Sequence, residues 1–130
     1  MMETRSLRAE AGGDIPLVVS SVLPAGFRHG FTTRAGGVSA PPFDSLNLGW
    51  RWGDDEARVA ENHRRLRSVS GARMLLHVSQ VHGTRVLRAR DHDVPDAVAA
   101  AKADGLATDE VGLGLSVHVA DCTPILMACP

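Results

Sequence analysis

Hydrophobic and polar positions change period along the chain, and the changes mark its elements. Residues 15–23 alternate loosely and are rich in Val, which predicts a strand. Pro24 and Gly26 break it, and residues 27–33 (FRHGFTT) read as a second short strand. Residues 34–53 hold no steady period and are rich in Gly and Pro. Val38, Phe43, Leu46, Leu48, Trp50 and Trp52 within them predict a long loop that is packed rather than loose. Trp50 and Trp52 are expected to be its packing anchors. Residues 54–70 predict a helix, with Asp54 as N-cap, Val59, Leu66 and Val69 on one stripe, and Gly71 as the stop.

Beyond it, residues 74–82 read as a strand. Met74, Leu76, Val78, Gln80 and His82 share one face if the backbone stays extended. Residues 84–89 read as the returning strand, residues 90–103 as a connector with a short helical piece, and residues 102–108 as the lead into another strand. Residues 111–120 are apolar throughout, as in a strand covered on both faces. Asp121 and Cys122 end it, and residues 125–129 start one more apolar strand. Residues 1–14 are expected to be a flexible leader. The sequence stops directly after an apolar segment, which reads equally as a short domain whose last strand lies at its end or as a truncated chain.

Composition narrows the function classes. Hydrophobic residues make up 44% of 130 residues, enough for a packed core. Fourteen basic against 15 acidic residues give a net charge of -1, which argues against a general nucleic-acid or membrane-surface binder. Aromatic residues are scarce at 4%, so there is little material for base-stacking platforms. No apolar run reaches the roughly 18 residues of a membrane span. Residues 1–14 have no apolar signal core, and the protein is read as cytoplasmic. Two cysteines are too few for a disulfide scaffold.

No Cys-x-x-Cys, His-Glu-x-x-His or His-x-His spacing announces a metal. What remains is His82 at one strand end and Cys122 at another, a nitrogen and a sulfur of the kind zinc takes. From spacing alone, a turn histidine and a small buried thiol are the plainer readings. Cys122 could equally be a nucleophile with His82 or His118 as base, its thiolate favoured by Arg34 or Arg85. Arg34 with the glycines after it can form an anion site, because glycines let the backbone approach an oxyanion and the guanidinium fork suits phosphate. By itself it reads equally as a turn with a solvated arginine. His29 is edge or site-facing, His63 on the helix surface or half-buried, and His77 and His92 are expected to be solvated. His118 shares parity with Cys122, and Cys129 is expected in the core.

Five segments in order carry a resemblance: FTTRAGGVSAPPFDSLNLG (residues 31–49), GDDEARVAENHRRL (53–66), QVHG (80–83), ADGLAT (103–108) and ADCTPIL (120–126). Together they resemble the N-terminal half of the bacterial YfiH family, which implies a mixed α/β fold of layered mixed sheets with flanking helices in a single domain, with residues 15–130 as the N-terminal part of that domain. Its members carry the labels laccase-domain protein, polyphenol oxidoreductase, peptidoglycan-editing factor and purine nucleoside phosphorylase. The resemblance implies a zinc site with His82 and Cys122 as two ligands. The third would come from a downstream His-Ala-Gly-Trp-Arg-Gly motif that this sequence does not contain. His118 departs from the small or apolar residue usual in the family.

The resemblance implies phosphorolysis of purine nucleosides such as adenosine, inosine, guanosine and methylthioadenosine, with adenosine deamination as a second activity. Its partners are then a nucleoside and phosphate, with no nucleic acid and no membrane; the oligomeric state is left open. Arg34 would hold phosphate or polarise the substrate, Asn47 and Gln80 would hydrogen-bond it, and Asp121 would orient it or act as acid or base. Six scattered histidines do not supply a multicopper array, so a single copper is the alternative to zinc. Two rival classes remain. A cysteine hydrolase or amidase acting on peptidoglycan precursors would use Cys122 and His82 without metal, and a non-catalytic module would show neither metal nor turnover. The 130-residue chain alone is expected to be inactive or metal-poor.

Overall fold

The computed structural model describes residues 7–12 and 15–130. They fall into two compact units, residues up to Ser70 with Ile125–Pro130 in the first and Gly71–Pro124 in the second. The class is mixed α/β, as the sequence implies: three small sheets, antiparallel and parallel, with two helices.

The first unit opens with β1 (Leu7–Gly12) and β2 (Ile15–Ser20), an antiparallel pair. The leader expectation fails for residues 7–12, which bond along all of β2 instead. Its remaining residues, 1–6, 13 and 14, lie outside the described residues. β3 (Phe31–Thr32) joins the other edge of β2. It is shorter than the strand expected over residues 27–33. Part of the cause is that His29 is drawn aside: its Nε2 accepts from the backbone N–H of Ser20. After the long loop comes α1 (Glu56–Ser70). Its cap is Asp55, one residue later than the expected Asp54. Asp55 Oδ1 accepts from the Ala57 N–H at 2.8 Å, while its carbonyl takes the N–H groups of Arg58 and Val59. The core joins Ile15, Leu46 and Val69, with Leu17, Leu48 and Leu66 packed against them, so strand, loop and helix share one apolar centre.

The second unit is built from two parallel pairs. β4 (Met74–Leu76) pairs with β7 (Leu113–Leu115), and β5 (Val86–Arg88) pairs with β6 (Gly105–Ala107). β5 therefore does not return along β4 as a hairpin. α2 (Pro95–Ala100) lies between β5 and β6 in sequence, with Pro at its start, where the missing N–H costs nothing. Leu76, Val78, Ala89, Val98, Ala103 and Leu113 form the core. Close approach of β4 and β7 needs Gly114, where a Cβ would lie 2.7 Å from Ala72 Cβ. The strands expected over residues 111–120 and 125–129 are reduced to Leu113–Leu115 and to irregular chain. Ile125 and Met127 are exposed. Among the described residues, no helix is long and apolar enough to cross a membrane.

Candidate functional site

In the first unit the candidate chemistry sits on the loop between β3 and α1. Arg34 folds this loop on itself. Its carbonyl accepts from the N–H groups of Ser45 and Leu46 (3.0 and 2.8 Å), and its Nε donates to the Asp44 carbonyl at 2.7 Å. The guanidinium also pairs with the Asp44 carboxylate at 3.1 Å while its side chain stays 73% exposed, so an anion could reach the fork but would compete with Asp44 for it. Gly37 is required where the two arms meet: a Cβ there would fall on the Ser45 carbonyl and Leu46 Cα.

Asn62 of α1 holds both arms. It is fully buried at 0% exposure. Its Oδ1 accepts from the Val38 N–H at 2.8 Å. Its Nδ2 lies within bonding distance of Ser39 Oγ (2.9 Å) and the carbonyls of Asn47 (2.8 Å) and Ser45 (3.2 Å). Ser39 in turn donates to Asp54 at 2.6 Å, and Asn47 Nδ2 donates to the same carboxylate at 3.0 Å. The Ser39 hydroxyl, helped by Asn47 and the Asp55 N–H, holds the Asp54 carboxyl below its ordinary value. Asn47 also exchanges bonds with Gly49 through both side-chain atoms. Its amide is thus engaged in holding the loop.

Beside this network, His63 Nε2 lies 2.9 Å from the Leu48 carbonyl, and its ring stacks on Trp50 at 5.2 Å. Burial lowers the His63 pKa. Trp50 and Trp52 are not the buried anchors expected. They are 48% and 75% exposed, because the loop is fixed by polar bonds rather than by its indoles.

The second unit holds Gln80, His82, Asp121 and Cys122. The extended face expected through His82 ends before it. Leu76 and Val78 are buried, Gln80 is half-buried, and His82 is exposed in a bend with φ of 60°. The cause is Asp104, whose carboxylate accepts from the N–H groups of Val81, His82 and Gly83 at 2.9, 2.7 and 2.7 Å. These three donors, Gly83 foremost, keep the Asp104 carboxyl below its usual value.

Gln80 Oε1 accepts from the His118 N–H at 2.8 Å, which ties the chain after β4 to the chain after β7. The rings of His77 and His118 stack at 4.8 Å. His77 is half-buried there, against the expectation of a solvated residue. Asp121 and Cys122 are exposed at the bend over residues 120–122. Cys122 is a free thiol, and so is Cys129, which is exposed rather than in the core.

Two residues missed in the sequence organise both regions. Asn62 falls on the stripe of Val59, Leu66 and Val69, and a lone amide among apolar stripe positions was its available signal. Asp104 lies inside ADGLAT, but nothing local marks its bonds to residues 81–83. His82 and Cys122, in the same unit, offer an imidazole and a thiol, a donor set suited to zinc. A tetrahedral ion would need further ligands.

Residues 28–130 match the family described as multi-copper polyphenol oxidoreductase laccase. The chain is 50% identical over 99 residues to a purine nucleoside phosphorylase of Mycobacterium bovis, covering 75% of this chain and 38% of that protein. It is 42% identical over 103 residues to a purine nucleoside phosphorylase of Corynebacterium glutamicum, covering 78% and 42%. The chain thus spans about two fifths of the length of these curated relatives. Among solved structures, YlmD from Geobacillus stearothermophilus superposes with a TM-score of 0.62 at 33% identity, covering 88% of this chain and 43% of that one. The hypothetical protein YfiH of Bacillus licheniformis gives a TM-score of 0.62 at 29% identity, covering 82% and 43%. Sequence match and shared fold agree, and the chain belongs to the laccase-domain family of YfiH.

Proposed function

We propose that the chain forms part of a zinc-dependent purine nucleoside phosphorylase. The observation that carries the reading is the 50% identity to a relative named purine nucleoside phosphorylase over 99 residues, 75% of this chain. His82 and Cys122 would hold the metal, with zinc preferred to copper for a mixed imidazole–thiolate set, and its remaining ligands would come from elsewhere. When bound, zinc supplies Lewis acidity to the site.

The substrates are adenosine, inosine, guanosine or methylthioadenosine, together with phosphate; deamination of adenosine is a second activity of the same reading. In phosphorolysis a phosphate oxygen bonds to the anomeric carbon while the bond to the purine nitrogen breaks. The purine leaves with the electron pair and takes up a proton. Arg34 suits the phosphate, since its exposed fork already engages the Asp44 carboxylate and an incoming dianion competes for the same donors. Gln80 contacts the substrate, and Asp121, exposed beside Cys122, supplies or accepts the proton. Asn47 serves substrate binding by holding the loop that presents Arg34. The same reading places the protein in the cytoplasm.

The exposed thiol of Cys122 favours one second reading, a metal-free cysteine hydrolase. The test follows adenine release from adenosine, with and without phosphate. It compares the chain alone with the chain joined to the remaining length of the Mycobacterium bovis relative. The proposal expects release only in the joined protein, dependent on phosphate, lost on chelation and restored by zinc. Absence of adenine release, with cleavage of a peptidoglycan-precursor amide that survives chelation and dies on thiol alkylation, establishes the hydrolase instead.

A further inference from the structure

The turn that carries His82 is made by a single side chain. Three consecutive backbone N–H groups, those of Val81, His82 and Gly83, converge on the Asp104 carboxylate. Oδ1 takes the first two and Oδ2 the third, so both oxygens are used. Successive N–H groups converge in this way only when the backbone curls into an anion-holding nest. The φ of 60° at His82 is that curl, in a region that residues other than glycine rarely occupy.

Asp104 is itself fixed. Its own N–H and that of Gly105 both donate to the Arg85 carbonyl, at 2.9 and 3.2 Å. Gly105 then opens the strand register against Val86. The carboxylate is therefore anchored to the β5–β6 pair. Position 83 is fitted to it as well, since a Cβ there would lie 3.3 Å from Asp104 Oδ2. The direction in which His82 leaves the backbone is thus set by a residue far along the chain.

We infer that Asp104 is a positioning residue for metal binding, acting through the backbone of His82 without being a ligand. The inference rests on the reading that His82 and Cys122 bind metal. An imidazole on a bare loop must be ordered each time an ion binds, whereas the nest orders it beforehand. Groups that orient ligands in this way change metal affinity by roughly 10- to 100-fold when removed.

The test titrates Co²⁺ into the chain joined to the remaining length of the Mycobacterium bovis relative, which would supply the further ligands, and reads the thiolate-to-metal charge-transfer band, with amide hydrogen exchange of residues 81–83 measured without metal. The proteins are the parent, His82→Ala, Asp104→Asn and Asp104→Gly. Asp104→Asn keeps an acceptor oxygen and guards against simple unfolding. The expected result is a Co²⁺ dissociation constant raised about tenfold or more in Asp104→Gly and less in Asp104→Asn. Added formate, a free carboxylate that fits the emptied nest, should restore affinity to Asp104→Gly and leave the parent unchanged. A purely structural role would not respond to formate in this way.

Loss of exchange protection at residues 81–83 with unaltered Co²⁺ affinity overturns the positioning role while leaving the metal reading in place. A joined parent protein whose charge-transfer band never forms, or forms equally in His82→Ala, overturns the metal reading and the inference with it.

Discussion

Two stretches of irregular backbone are each held by one distant side chain, and the two solutions differ in chemistry. The loop before α1 is held by Asn62, a neutral amide with no exposure, which both donates and accepts. The turn at His82 is held by Asp104, a half-buried carboxylate that only accepts. An amide can join two arms of a loop because each arm offers a different kind of partner. A carboxylate suits the tighter task, because three adjacent N–H groups carry partial charge of one sign. Burial separates the two further. A buried neutral hub is costly to remove, since its partners lose water and bond together, whereas groups around a more exposed carboxylate can turn to solvent.

The largest expected effect breaks the first of these devices. Asn62→Ala strands a buried N–H and several oxygens and leaves a void, and should lower stability by about 4 kcal/mol. Urea unfolding followed by tryptophan fluorescence reads it directly, because Trp50 and Trp52 both belong to the first unit. A loss under about 1 kcal/mol would show that the loop does not depend on the amide.

Glycines at the two places sharpen the contrast. Gly37→Ala drives a Cβ into backbone that cannot yield, and about 2 kcal/mol should be lost. Gly83→Ala meets the end of the Asp104 side chain and, at ordinary contact distance, Val81, so it should cost clearly less in urea unfolding followed by far-UV circular dichroism, which reads both units. Equal costs would mean that the turn is as rigid as the loop.

Much of this was readable in the sequence where the interactions are local. The helix was, because the Val59, Leu66 and Val69 spacing and its acidic start lie within a few turns; only the cap moved, from Asp54 to Asp55. The loop over residues 34–53 was recognisable by its glycines, prolines and missing period. The turn at His82 was not. Alternation from Met74 to Gln80 continues smoothly into His82, and the carboxylate that bends the chain comes from a different strand pair. The strand lengths failed for the same kind of reason, since an apolar run such as residues 111–120 stays paired only as far as a neighbouring strand accompanies it, here Leu113–Leu115. For the candidate site, motif order only nominated residues, and which of them are committed to holding backbone, as Asn47 is, depends on partners outside the motif.

A smaller effect tests the corrected cap. Asp55→Ala should cost about 1 kcal/mol, and Asp54→Ala should act on the loop instead, through Ser39 and Asn47. Amide exchange in the first turn of α1 distinguishes them: it should rise in the first variant and change little in the second.

The smallest effect concerns pH. Arg64, then Arg65, hold the Glu61 carboxyl down to about 2 from an ordinary 4.5. A group depressed on folding adds stability that is complete above the unfolded value and fades as pH falls through the folded one. The Glu61 contribution should therefore be present above pH 4.5 and disappear between there and pH 2. Exposure keeps it modest. Urea midpoints of the parent and Glu61→Gln should converge across that window, whereas the Asn62→Ala deficit, arising from a neutral group, should persist through it.

The parallel pairs of the second unit are nested in the chain: β5, α2 and β6 all lie within the connection between β4 and β7. Closing a long connection costs more entropy than closing a short one. Once β5 and β6 have met, the remaining distance between β4 and β7 is already shortened, so the inner pair should assemble first and template the outer. Extra residues inserted before α2 would then slow both steps, while residues added ahead of β4 would slow neither.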